Sequence, residues 1–419
     1  MNHMNSQDGA SSVNNAGDLD PTFGVDGVVN VPIASGTLRC MVEDNQGSIV
    51  HGLWVGNEMW FYRIFANGSQ DLQFGSDGVT RWEFAPGKLS VPVQLLQQAD
   101  GKYVVIGALR DDRSDQRPKV AITRFNSNGT PDLVFGNKIL PLPAQNNLFT
   151  EFPSYGCLQA DGKILVAASY TLVDGQDQLV LRGSRLYRLQ ANGEADLEFG
   201  GGRGFVEVLM NGQNTEVKSV VVTRDGKIVV GGTTERVRVG SYDRKQSVAR
   251  FLSNGALDVT FGRNGYWEAD GDNVMGRVIF LEDKLIVVGH EVVKPSGYRV
   301  CVSRLTADGE FDPTFNNGIR LLTDVPMDVP GYVLICNAVA LQADGKIIAA
   351  GYAGFAARAY WLRVQTNGQL DPDFGDQGLH VHEPSNLMGG VLVQTTTGRI
   401  LAAIDSAVAP APRILGILA

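Results

Sequence analysis

The pattern Asp-x-x-Phe occurs seven times along the chain, with its phenylalanines at Phe23, Phe74, Phe135, Phe199, Phe261, Phe315 and Phe374. A period of about sixty residues kept up over this length means one supersecondary unit used again and again, which confines the fold to propellers, solenoids and similar arrays. In six units an arginine stands eight residues before the aspartate: Arg63/Asp71, Arg124/Asp132, Arg188/Asp196, Arg250/Asp258, Arg304/Asp312 and Arg363/Asp371. The seventh aspartate, Asp20, lies at the start of the chain, and Arg413 near its end is taken as its partner. A charge pair that recurs with the unit is a poor candidate for a unique chemical site. It reads instead as a bidentate clamp across a tight turn, with the phenylalanine plugged beneath.

Each unit carries a second mark, Asp-Gly-Lys between two apolar runs, as in "QQADGKYVVIG", "LQADGKILVAA", "VTRDGKIVVGG" and "LQADGKIIAAG". Asp-Gly favours a two-residue type I′ hairpin, whose central positions both need positive φ. "EDNQGSIVHG", "LEDKLIVVG" and "TTTGRILAA" are degraded copies. The sixth unit counts out as four strands, "CNAVALQ", "KIIAAGY", "YWLRVQ" and "LHVHE", labelled A to D. Fifty glycines suit many short strands joined by tight turns, and an apolar fraction of 43% is ample for an extended core. The expectation is an all-β, seven-bladed β-propeller with four antiparallel strands per blade, strands A and B being near-continuous apolar runs buried on both faces. A solenoid is the alternative, weakened by the lack of polar caps. The repeat starts at Gly17 with the Asp-x-x-Phe turn and a D strand, "GVVNV", and ends with A, B and C of a seventh unit. The first strand is therefore expected to pair with the last sheet and close the ring, removing the open edges.

The combination G-x-x-D-x-x-F-G-x-x-G, A-x-x-x-Q-x-D-G-K-I-x-x-x-G and R-x-x-x-N-G resembles the delta-60 repeat family of bacterial β-propellers, over about Gly17 to Ala419. "FGNKIL" after Phe135 and "FNNG" after Phe315 depart from the pattern at the turn. The resemblance implies the propeller fold and a bacterial source, and brings no catalytic motif with it.

A net charge of −9 without any basic cluster argues against nucleic acid as a partner. The start, "MNHMNSQDGASSVNNAG", has neither the basic nor the apolar region of a secretory signal, and no stretch is apolar enough for membrane insertion. Residues 1–16 are expected to be a disordered tail, and the protein cytoplasmic, export by a signal-less route remaining open. Cys40, Cys157, Cys301 and Cys336 have no metal or redox spacing and read as buried thiols. No cofactor is expected. His380 and His382 lie on one face of an outer strand without a third ligand, and Asp111, Asp112 and Asp115 lack the spacing of a calcium loop. "FGGGRG" is the fourth Phe-Gly turn, not a phosphate loop.

Function has to come from positions where the copies differ. Near the end of strand B the series reads Trp54, Ala108, Ser169, Thr233, His290, Tyr352 and Asp405, one per blade at one height. Closure makes His290, Tyr352, Asp405 and Trp54 a contiguous arc, and longer loops such as "LRDDRSDQRPK" and "ERVRVGSYDRKQ" gather on the same face. The expectation is a binding or interaction module whose channel mouth takes an unknown protein or a small polar ligand, with the arc as contacts. The alternative is a lyase or hydrolase with His290 as general base and Tyr352 or Asp405 as acid or orienter. Burial of the ring between blades would favour plain scaffolding.

Overall fold

In the computed structural model, which describes residues 15–111, 118–143, 154–174, 179–238, 241–293, 297–326, 333–354, 358–382, 386–405 and 412–419, seven four-stranded antiparallel sheets make a β-propeller. Blade six shows the plan, with A Val333–Leu341, B Ile347–Gly354, C Arg358–Val364 and D Leu379–His382 paired in that order. Strands A meet around the axis and strands D lie outermost.

The blade that closes the ring is built from both ends of the chain, as A Asn386–Val393, B Ile400–Asp405, C Arg413–Ile417 and D Val28–Asn30. Val28 faces Leu415 and Asn30 faces Arg413 in that join. Asn15 and Ala16, assigned to the tail from sequence, belong to the ring. The Ala16 carbonyl accepts a hydrogen bond from the Gly375 N–H at 2.8 Å, a tie of the kind that Gly24, Gly75, Gly200 and Gly262 make to their neighbouring blades.

Two local expectations are revised. The Asp-Gly turns are three-residue loops in which only the glycine has positive φ, +83° at Gly101 and +82° at Gly345. In place of a type I′ turn, the aspartate carboxylate folds back to accept the lysine N–H, 3.2 Å at Asp100/Lys102. Strand B is buried throughout its centre, whereas strand A alternates, because one of its faces looks into the central channel.

The Arg–Asp–Phe cluster does more than turn a corner. Arg124 Nε reaches Asp132 Oδ2 at 2.9 Å, and Arg63, Arg188, Arg250, Arg304 and Arg363 hold Asp71, Asp196, Asp258, Asp312 and Asp371 at 2.6–2.8 Å. The guanidinium puts two nitrogens on one oxygen, as at Arg63 and Arg124, while the other oxygen caps the aspartate's own turn. Each guanidinium also lies over the buried phenylalanine of its unit, 4.6 Å above Phe135 and 4.7 Å above Phe199. The remaining edge of Arg63, Arg124, Arg188, Arg250 and Arg304 donates to a carbonyl in the following blade, Arg63 to Ser127 and Arg304 to Thr366. The following blade's turn glycine packs on the same ring, so that a Cβ on Gly193 would stand 2.7 Å from Phe135. The repeated motif thus stitches each blade to the next. Burial would raise Asp132, but Lys102, the Phe135 N–H and Arg124 outweigh it and bring it down to about 2.

Arg413 is not the seventh member. Strand C of the closing blade puts Gly416 opposite Leu401, where blade six has Arg363 opposite Ile348. Asp20 is held instead by Arg399 at 2.7 Å, which also covers Phe23 and donates to Ala66 in blade one. Arg399 occupies the place of the Asp-Gly-Lys lysine, at the end of an A–B turn one residue longer than in blade two. No arginine fits at position 416, because a Cβ there would already be 2.6 Å from the Phe23 ring. Arg413 sits at the other end of strand C, beside Asn30.

Candidate functional site at the channel mouth

Antiparallel order puts the A–B and C–D turns on one face and the B–C and D–A loops on the other. The ring positions lie toward the second face at a common height. Trp54 pairs with Thr37, Ala108 with Val91, Thr233 with Glu216, His290 with Val274, Tyr352 with Ile335 and Asp405 with Asn386. Two residues beyond five of these strand-A partners the register slips by one, at Arg39, Val93, Lys218, Gly276 and Asn337, and in blade seven it slips by two between Leu387 and Gly390. A bulge leaves a ladder N–H without its usual partner, and several ring side chains serve the need across the blade boundary. Ser169 accepts from the Val217 N–H at 3.0 Å, Thr233 from Met275 at 3.0 Å and Asp405 from Leu38 at 3.0 Å.

The arc therefore divides. Trp54, His290 and Tyr352 line a cavity of about 370 Å³ at the mouth, while Asp405 is turned into the blade interface toward Leu38. Burial pushes Asp405 up to about 6, against the pull of the Leu38 N–H and Arg39. Trp54 is half-buried, its Nε1 donating to the Gly56 carbonyl. His290 is only 7% exposed, stacks obliquely on Tyr298, and has an Nδ1 with no hydrogen-bond partner. Burial, then the charges of Arg244 and Lys218, bring its pKa down to about 4, so it is neutral at pH 7. Ala108, Ser169 and Thr233 are buried between blades.

Beneath the mouth, six side chains form a waist between this cavity and a second of about 380 Å³. They are Arg39, Val93, Tyr155, Lys218, Arg277 and Asn337, one from strand A of each of the first six blades. The sequence reading missed this layer. Its signal was a polar residue inside an otherwise apolar innermost strand, as in "TLRCMVE", "NTEVKSVVV" and "NVMGRVIFL". In blade five the bulge residue is Gly276, whose Cβ would strike the Cys336 carbonyl at 2.1 Å, so Arg277 supplies the channel side chain.

The other candidates lie elsewhere. His380 stacks on Trp361 at 4.8 Å and 6°, with His382 tilted against the same ring at 5.8 Å, so both are half-buried packing groups. Asp111 is met by Lys88 at 3.4 Å and Lys119 at 3.3 Å, whereas Asp112 and Asp115 lie outside the described residues, as does much of the long loops. Among the described residues no three His, Cys, Asp or Glu side chains are grouped as a metal site, and no helix is long and apolar enough to cross a membrane. Cys40, Cys301 and Cys336 are buried thiols and Cys157 is half-buried.

No curated protein matches the chain. Among solved structures it is similar to an inactivated virginiamycin B lyase from Staphylococcus aureus with quinupristin, at 12% identity and a TM-score of 0.48 over 93% of this chain and 98% of the other. It is likewise similar to Drosophila Plexin A in complex with Semaphorin 1b, at 10% identity and 0.49 over 96% and 88%. A third is the Penicillium chrysogenum α-L-arabinanase complexed with arabinobiose, at 9% identity and 0.47 over 93% and 97%. Likenesses this distant assign none of those activities to the present chain. Five segments, residues 98–135, 159–199, 223–261, 283–315 and 342–374, match a family model described as a domain of unknown function (DUF5122) β-propeller, and each spans strands B and C of one of blades two to six, from the A–B turn to the Asp-x-x-Phe turn.

Proposed function

We propose that the protein is a binding module that takes a small polar ligand at the channel mouth, on the face of the B–C and D–A loops. One observation carries the reading. Of the seven equivalent ring positions, Trp54, His290 and Tyr352 present ring systems to one cavity of about 370 Å³, whereas Ser169, Thr233 and Asp405 are taken up by backbone N–H groups of the next blade. A pocket with aromatic walls and a few polar groups suits stacking against a ligand with both a flat apolar face and hydrogen-bonding edges.

The lyase or hydrolase alternative draws on the same His290, which is neutral as a base must be. Of its two candidate acids or orienters, Tyr352 shares the cavity with His290 but is no carboxylate, and Asp405 is engaged with Leu38. The binding reading is therefore preferred. Thermal-shift and native mass-spectrometric titration with neutral mono- and disaccharides tests it. A ligand should bind the parent and lose about tenfold or more in affinity in Trp54→Ala, with the unliganded melting temperature unchanged. Equal binding by parent and variant would refute the site.

A further inference from the structure

We infer that the channel waist below the mouth is a site for a small ligand bearing oxyanion groups, phosphate or carboxylate, held by Arg39, Lys218 and Arg277. This rests on the binding reading in placing the ligand in the channel, and goes beyond it in chemical class. The chain carries a net charge of −9, yet three of the six waist side chains are cationic, and no Asp or Glu lines either cavity that meets there among the described residues. A charge in the innermost strand has a poor environment unless it serves structure or ligand. The low-dielectric walls of a narrow channel focus the field of such a group toward the axis.

The cations of this layer also have structural contacts. Lys218 meets Glu216 at 2.6 Å, and Asp405 lies close enough to Arg39 to feel its charge. Arg277 is fixed from two sides, its Nη1 donating to the Lys218 and Gly276 carbonyls at 2.9 and 3.1 Å and its guanidinium lying 4.1 Å over the Tyr155 ring. That arrangement orders a planar donor at the channel wall without neutralising it.

Two polar groups on the same wall have no protein partner. His290 Nδ1 is buried and unpartnered, and so is the Asn337 side-chain oxygen. The carboxamide can rotate to offer its NH2 group instead, and the imidazole can donate from either nitrogen. Three cations with two adaptable groups at their rim fit a compact ligand with two or three oxyanions. The space suffices, since each of the adjoining cavities exceeds the roughly 30 Å³ share of a water molecule several times over.

The test uses sodium phosphate and sodium citrate as probes, each against sodium chloride at equal ionic strength so that general screening is matched. One of the two should raise the melting temperature of the parent saturably. Its affinity should fall about tenfold or more in Arg277→Gln and in Lys218→Gln. A response to phosphate alone assigns phosphate esters, and a response to citrate alone assigns polycarboxylates. Arg39→Gln serves as the further variant should Arg277→Gln fail to fold. No saturable response in the parent, or a response that persists equally in the Lys218 and Arg277 variants, overturns the inference. A neutral saccharide that still binds through Trp54 in that case leaves the mouth reading standing alone.

Discussion

Blades six and seven solve the same corner with different residues. In blade six the aspartate is gripped twice, by Arg363 at 2.7 Å from strand C and by Lys346 at 3.1 Å from the A–B turn. In blade seven strand C offers only Gly416, and Arg399 in the lysine's place does the work of both, clamping Asp20, covering Phe23 and bonding across to blade one. The corner evidently requires a guanidinium between a carboxylate and a ring, and is indifferent to which strand provides it. Redundancy in one blade and its absence in the other should separate the two under mutation.

The largest effect is expected at Arg399. Arg399→Met leaves Asp20 buried with no cation and should cost about 3–5 kcal/mol, whereas Arg363→Met, with Lys346 still in place, should cost distinctly less. Chemical denaturation of both variants measures the gap, and equal losses would erase the distinction. The next effect is at the same seam. His51 is 1% exposed and stacked 5.7 Å from Tyr62. It borders a cavity of about 290 Å³ between the closing D strand and blade one.

Burial brings His51 down to about 4 from 6.5, so the unfolded chain takes up the proton first. Its contribution is whole above pH 6.5 and is lost as pH falls toward 4, about 2 kcal/mol of it between pH 7 and 5. His290 acts in the same sense and Asp405, raised to about 6, in the opposite one. His51→Leu should therefore flatten the difference in stability between pH 7 and pH 5 relative to the parent, and an unchanged pH profile would count against it. Gly416→Ala comes third. It drives a methyl group into Phe23 and should cost about 1–3 kcal/mol. Arg413→Ala is the smallest, within about 1 kcal/mol, and a loss rivalling that of Arg399→Met would return Arg413 to the corner.

The closure of the ring was legible because Asp-x-x-Phe resumes at Gly17 in the phase in which the last unit stops. Arg413 resembles the strand-C arginines of the other units in the sequence, but Gly416 holds their place in the register, and the guanidinium comes from Arg399 at the end of the longer "TTTG" turn. The waist was passed over for a different reason. An apolar run with one charge in it resembles a core strand, and only the strand's position beside the axis shows that Arg39, Lys218 and Arg277 face a channel. The arc was placed at the correct height, yet spacing could not tell Trp54, which faces the cavity, from Asp405, which caps a bulge in the neighbouring blade.

Arg399 and Asp20 are 379 residues apart in sequence and meet at one corner of the closing blade. On the ribosome, blades one to six can be completed in order while Val28–Asn30 waits without its partner strand. Only when Arg413–Ile417 has been synthesised can that strand be taken up and the toroid shut. Until that moment the nascent protein exposes two bare flanks, and the interval is when a chaperone has most to protect.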